Sequence, residues 1–116
     1  MKMGDMLDGL RKTLTEKGFI DRDLLVWGRK KEATFLKHEM VLFGVKEGKF
    51  MILPFKDFNT VFYDEVRYYT KEEVTLDYSS LTKFITIKLS NGDRARYSTM
   101  SGAGNDAKPL VSLFSK

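Results

Sequence analysis

Residues 84–99 constrain the fold more than any other stretch of the chain. Ile85, Ile87 and Leu89 alternate with Thr86 and Lys88, Asn91 and Gly92 interrupt the run, and Arg94, Ala95, Arg96, Tyr97, Ser98 and Thr99 resume it. Period-two alternation around a turn signal is the pattern of a half-buried antiparallel hairpin. Two registers compete. A two-residue Asn91-Gly92 turn sets Ile87 against Arg96 and Leu89 against Arg94, mixing charge into the core side. A three-residue loop of Ser90, Asn91 and Gly92, with Gly92 left-handed in a bulge, sets Ile87 against Ala95 and Ile85 against Tyr97. That leaves Thr86, Lys88, Arg94 and Arg96 facing water. The second register is predicted, because a slip of one residue turns the apolar set outward.

At 116 residues the chain fits one domain, long enough to bury a core without staples. It has no cysteine, which excludes a disulfide framework, a thiolate nucleophile and a cysteine-based zinc site. The acids near the N-terminus break up any continuous apolar leader, so no secretory signal is expected. No apolar run approaches the roughly 18 to 20 residues that span a bilayer, and a soluble cytoplasmic protein is predicted. The net charge of +4 is unevenly spread. Residues 24–56 hold seven bases and three acids, residues 57–93 four and seven, and residues 94–116 four and one. The densest basic cluster is Arg29, Lys30 and Lys31, read as a solvated turn that can meet phosphate or an acidic partner.

Met3, Met6, Leu7, Leu10 and Leu14 follow the spacing of one helix face, and Gly18 suits a left-handed cap, so residues 1–18 are predicted as an N-terminal helix. Its polar face mixes both signs of charge, which favours packing on the sheet or on another subunit over lying on a membrane. Residues 24–27 read as a first strand and residues 33–36 as a second, across the basic turn. Residues 40–45 and 50–55 are apolar runs around Lys46, Glu47, Gly48 and Lys49, a hairpin signal with Gly48 free to take positive φ. Both strands are apolar at nearly every position, which implies burial on both faces or a partner over the outer one. Residues 56–60 read as a loop, 61–66 and 67–70 as strand, and 74–78 as an extension or a separate strand. Ser101, Gly102, Ala103 and Gly104 read as a loop. A short helix over 105–115 follows, capped by Asn105 or Asp106 and with Pro109 in its first turn.

Motifs that carry chemistry are missing, each for a reason. His38 is the only histidine, so one chain cannot build a multi-histidine metal site, and its place in a predicted turn suits a surface residue. The run from Gly44 to Lys49 is too short for a phosphate loop and lacks the following Ser or Thr. Asp64 with Glu65, and Glu72 with Glu73, are adjacent in sequence and along a strand would point to opposite faces. Tyr68, Tyr69 and Tyr97 near Arg67, Arg94 and Arg96 could stack nucleic-acid bases, against which stands packing of those rings in a core. Neither a cofactor, nor a metal, nor an enzymatic activity is expected.

The hairpin Val41, Leu42, Phe43, Gly44, Val45, Lys46, Glu47, Gly48, Lys49, Phe50, then Phe62, Tyr63, Asp64, Glu65, Val66 leading into a strand, then residues 85–93 and a terminal helix, resemble bacterial pleckstrin-homology-like (GRAM-type) domains. The resemblance covers roughly residues 24–114. It implies a mainly β, bent antiparallel barrel or sandwich of about seven strands closed by the C-terminal helix, here with an added N-terminal helix and a shortened terminal one. It also implies a non-catalytic binding or assembly platform, docking a protein or self-associating into an oligomer. Relatives that bind phospholipid headgroups use the basic loop between the first two strands, where Arg29, Lys30 and Lys31 fall with Lys37 nearby. An anionic ligand, lipid headgroup or nucleic acid, is the alternative partner. The chain is predicted to be one domain, with its sheet over residues 24–100.

Overall fold

The computed structural model describes residues 3–99 and 104–115. Helix α1 (Met3–Glu16) is followed by β1 (Val26–Ala33), β2 (Met40–Lys46), β3 (Lys49–Asp57), β4 (Thr60–Val61), a 3-10 turn (Tyr63–Glu65), β5 (Arg67–Tyr69), β6 (Val74–Ser79), β7 (Phe84–Leu89), β8 (Arg94–Thr99) and helix α2 (Gly104–Ser112). All strand pairs are antiparallel, in the order β4-β3-β2-β1-β8-β7-β6, with β5 also pairing on β3. The fold is therefore mainly β, a bent sheet flanked by two helices. Among the described residues it is a sheet of eight strands where about seven were expected, and it does not close into a barrel. The predicted loop at 101–104 lies, except for Gly104, outside the described residues. No helix among the described residues is long and apolar enough to cross a membrane.

Strand β1 joins the two halves, because residues 26–29 pair with β2 while residues 28–33 pair with β8. In the second half, the hairpin takes the three-residue loop. Ile85 opposes Tyr97, Ile87 opposes Ala95, and Gly92 sits at φ 99°. Leu89 N–H donates to Asp93 O at 2.8 Å, closing the loop. All four paired apolar side chains are fully buried, while Lys88 and Arg94 are exposed.

In the first half, the β2–β3 turn is a two-residue one, with Lys46 opposite Lys49 and both Glu47 (φ 53°) and Gly48 (φ 73°) left-handed. A glutamate in that region is strained, so Glu47→Asn, a residue that tolerates it, is expected to gain about 0.5–1 kcal/mol. Thermal unfolding followed by circular dichroism checks this, since a raised midpoint is expected and a lowered one contradicts the strain.

Both faces of β2 and β3 are covered within the chain. On the inner face Phe43 stacks on Phe50 at 5.4 Å and meets Tyr97 edge-on at 5.3 Å, while Phe50 meets Phe114 beyond α2 at 5.5 Å. On the other face Trp27 packs on Phe55 and Phe58 at 5.8 and 5.0 Å. Ile20 fills the space over Gly44 so closely that a Cβ there would lie 2.7 Å from Ile20 Cγ2. Tyr68 Oη donates to Phe19 O at 2.9 Å, tying the 19–24 segment to β5. The outer cover assigned to a partner as one alternative is thus this chain's own. Leu7, Leu10 and Leu14 of α1 are buried in the same core. Helix α1 ends on Gly18 at φ 83°, with Phe19 N–H donating to Leu14 O and Gly18 N–H to Thr15 O, so the predicted left-handed cap is present.

The structure differs from expectation in four stretches. Arg29, Lys30 and Lys31 lie within β1 and not in a turn, because one face of this strand is solvated and a bulge between Lys30 and Glu32 absorbs a residue without breaking the ladder. The connection is made by residues 34–39 instead, so the second strand expected at 33–36 does not form. Residues 61–66 are strand only at Val61, since Phe62 N–H donates to Pro54 O and the chain then turns through Tyr63–Glu65. Strand β3 runs on to Asp57, leaving a tight turn in place of the expected loop, with Asn59 N–H donating to Asp57 Oδ1 at 2.8 Å. Pro109 lies in the second turn of α2, where it forfeits a helical hydrogen bond.

The free edge of the sheet at β6 is partly capped by the end of the chain. Leu76 N–H donates to Phe114 O at 3.2 Å, and Ser115 Oγ donates to Leu76 O at 3.2 Å. Satisfying the middle of an edge strand in this way blocks its pairing with another chain.

Candidate functional site

A cleft of about 330 Å³ opens between the 34–39 loop and the start of β5. Leu36, Pro54 and Val66 give it an apolar floor, and Lys37, His38, Asp64, Glu65 and Arg67 line its rim. Each part has a local cause. Pro54 falls where β3 changes partner, between Ile52 opposite β5 and Phe55 opposite β4, so its missing N–H costs the ladder nothing there. The 3-10 turn then swings Asp64 and Glu65 over the loop. Lys30, on the opposite side of β1 from its two basic neighbours, holds that loop by donating from Nζ to Leu36 O at 3.3 Å and Lys37 O at 3.1 Å.

His38 is more tightly held than a surface residue. Its Nε2 lies 3.0 Å from Glu65 Oε1 and its ring stacks on Phe62 at 4.6 Å. On the far side of this stack a second hollow of about 310 Å³ is lined by Glu39, Met40, Phe55 and Lys56. Arg67 lies 6.0 Å from the Phe35 ring. The cleft thus presents Lys37 and Arg67 against Asp64 and Glu65, a rim balanced in sign around a greasy floor. The carboxylates disfavour a phosphate there by direct repulsion. Arrays of this kind suit an extended peptide, whose apolar side chain fills the floor while its charged neighbours meet the rim.

The four basic residues singled out in the sequence are dispersed. Arg29 and Lys31 are exposed on the outer side of β1, Lys30 is spent on the loop carbonyls, and Lys37 stands on the cleft rim. Of the cleft residues, His38, Asp64 and Glu65 were visible as titratable groups, but nothing in their spacing joined positions 38 and 65. That pairing needs Pro54 and the 3-10 turn, which carry no strong pattern.

The tyrosines do not form a stacking platform. Tyr97 is fully buried and its hydroxyl has no hydrogen-bond partner, while Tyr68 is tied to Phe19. Burial pushes the Tyr97 phenol well above its ordinary range, although the Arg67 guanidinium pulls the other way, and burial, with Asp21 and Glu47, raises Tyr68 as well. A raised phenol holds its proton in the folded state while the unfolded chain releases it near pH 10, so stability is complete below that pH and falls above it. Tyr97→Phe is expected to leave stability at pH 7 unchanged or up to about 1 kcal/mol higher, and to flatten the alkaline loss. Urea unfolding at neutral and alkaline pH measures both, and an unchanged alkaline slope contradicts the assignment.

Comparison of the chain with protein-family models, with curated proteins and with solved structures returns no match.

Proposed function

We propose that this chain is a non-catalytic interaction module of pleckstrin-homology-like type that docks a protein partner through the 34–39 cleft, and that it works in the cytoplasm. The observation that carries this reading is the apolar floor of Leu36, Pro54 and Val66 beneath a rim of both charge signs. A headgroup site would be expected to concentrate cations, and here two carboxylates share the rim with Lys37 and Arg67. Exposed large apolar side chains among the described residues are Met6 at 39% and Leu81 at 92%, too scattered for the apolar interface of an obligate dimer. That favours a separate protein as the partner over a second copy.

Panning a random peptide library against the chain, with the Lys37→Glu, Arg67→Glu double variant as counter-selection, tests the proposal. Peptides with an apolar anchor beside acidic residues are expected to enrich on the native chain and to lose binding to the variant. Failure of any peptide to discriminate the two, together with salt-sensitive retention of the native chain on anionic vesicles, would favour the alternative of an anionic ligand. Light scattering then assigns the partner. A mass at 13.4 kDa leaves a separate protein, and a stable multiple of it makes a second copy the occupant.

A further inference from the structure

On the outer side of the second half of the sheet, register places one row of side chains after another on the same face. Arg29 opposes Ser98, which opposes Phe84, which opposes Ser79. Arg96 opposes Thr86, which opposes Asp77, and Arg94 opposes Lys88, which opposes Thr75. The side chains between these rows, Ile85, Ile87, Ala95 and Tyr97, are wholly buried on the other face, which fixes the sidedness. Lys31 joins the array, because its Nζ sits 5.9 Å above the half-buried Phe84 ring. Five cations therefore share one face with two acids, Glu32 and Asp77, and Glu32 lies 4.0 Å from Arg94. This is a separate surface from the cleft, built from β1, β6, β7 and β8.

We infer that this face binds single-stranded nucleic acid through its phosphates. Three of the five cations are arginines, whose planar fork suits phosphate. They are set at rungs about 4.8 Å apart across strands and about 6.8 Å apart along them, commensurate with successive phosphates of an extended strand. Hydroxyls of Thr75, Thr86 and Ser98 lie among them as neutral donors to phosphate and sugar. Phe84 supplies a ring on which a base can stack in place of the lysine. A bilayer is the poorer fit, since the apolar side chain that register places on this face is Phe84, half-buried and covered by Lys31, and the exposed Leu81 stands outside it on the β6–β7 turn.

The test is fluorescence polarisation of a labelled oligo(dT) of about twelve nucleotides with the full chain, titrated from about 50 to about 200 mM salt. Three to five phosphate contacts predict a slope of log affinity against log salt of about −2 to −3.5. The double variant Lys31→Glu, Arg96→Glu, on the solvated face and checked for an unchanged circular dichroism spectrum, is expected to weaken binding at least tenfold. Lys37→Glu with Arg67→Glu, in the cleft, is expected to leave it unchanged, so the two surfaces are tested apart. Absence of oligonucleotide binding at the lowest salt overturns the inference, as does equal loss in both variants. Binding to phosphatidylserine-containing vesicles without oligonucleotide binding also overturns it, in favour of a membrane.

Discussion

Phe43→Ala is expected to remove about 3–5 kcal/mol of folding stability. The ring is fully buried at the centre of the inner face, between Phe50 and Tyr97. It also lies directly over Gly28, where a Cβ would come within 3.0 Å of Phe43 Cε2 and 3.1 Å of Tyr97 Cβ. Its removal opens a space among the Phe50 and Tyr97 rings and the Gly28 backbone, with the β-branched Val26 and Ile52 directly opposite on the neighbouring strands. Against a total of about 5–15 kcal/mol for a domain, such a loss brings the chain close to unfolding at room temperature. Urea titration of the variant reads the change as a lower midpoint at unchanged slope. A loss below about 1.5 kcal/mol would mean that the inner face is loosely packed.

Asp106→Ala is expected to cost about 2–3 kcal/mol, because this one carboxylate fastens three elements. Its Oδ2 accepts from Arg11 Nη2 of α1 at 2.8 Å and from the Leu25 backbone N–H ahead of β1 at 3.0 Å. Arg11 also pairs with Asp8 and lies 3.3 Å from Asp23, so the helix stays charged-paired without Asp106 while the buried Leu25 amide loses its acceptor. Two readouts separate these parts. Amide exchange at Leu25 is expected to accelerate, and a double-mutant cycle with Arg11→Ala is expected to show a coupling of about 1 kcal/mol. Additivity of the two substitutions would show that the ion pair contributes nothing beyond the amide bond.

Legibility of the fold tracked the strength of local rules. The 84–99 hairpin could be read to its register because one face is apolar and Gly92 marks the bulge, and the 46–49 turn because Gly48 needs positive φ. Burial of β2 and β3 on both faces was legible as continuous apolarity, although the covering by Ile20, Phe58 and the 19–24 segment was not, since contacts across so many positions leave no periodic trace. The basic run misled for a physical reason. Charge marks solvation, and an exposed strand face is as solvated as a turn, so Arg29, Lys30 and Lys31 read as a break where the chain in fact continues in the ladder. The pairing of His38 with Glu65 stayed hidden because it depends on where a proline interrupts β3 and a 3-10 turn replaces strand. The outer array of Arg29, Lys31, Lys88, Arg94 and Arg96 follows from the hairpin register only once β1 is known to pair with β8.

The docking proposal meets its most direct test in an amide NMR titration of the isotope-labelled chain with a peptide selected against the cleft. Shifts confined to residues 36–38 and 64–67, with the outer face of β7 and β8 silent, are the predicted result. Shifts centred on Lys31, Phe84 and Arg96, or spread over the molecule without a focus, would contradict it.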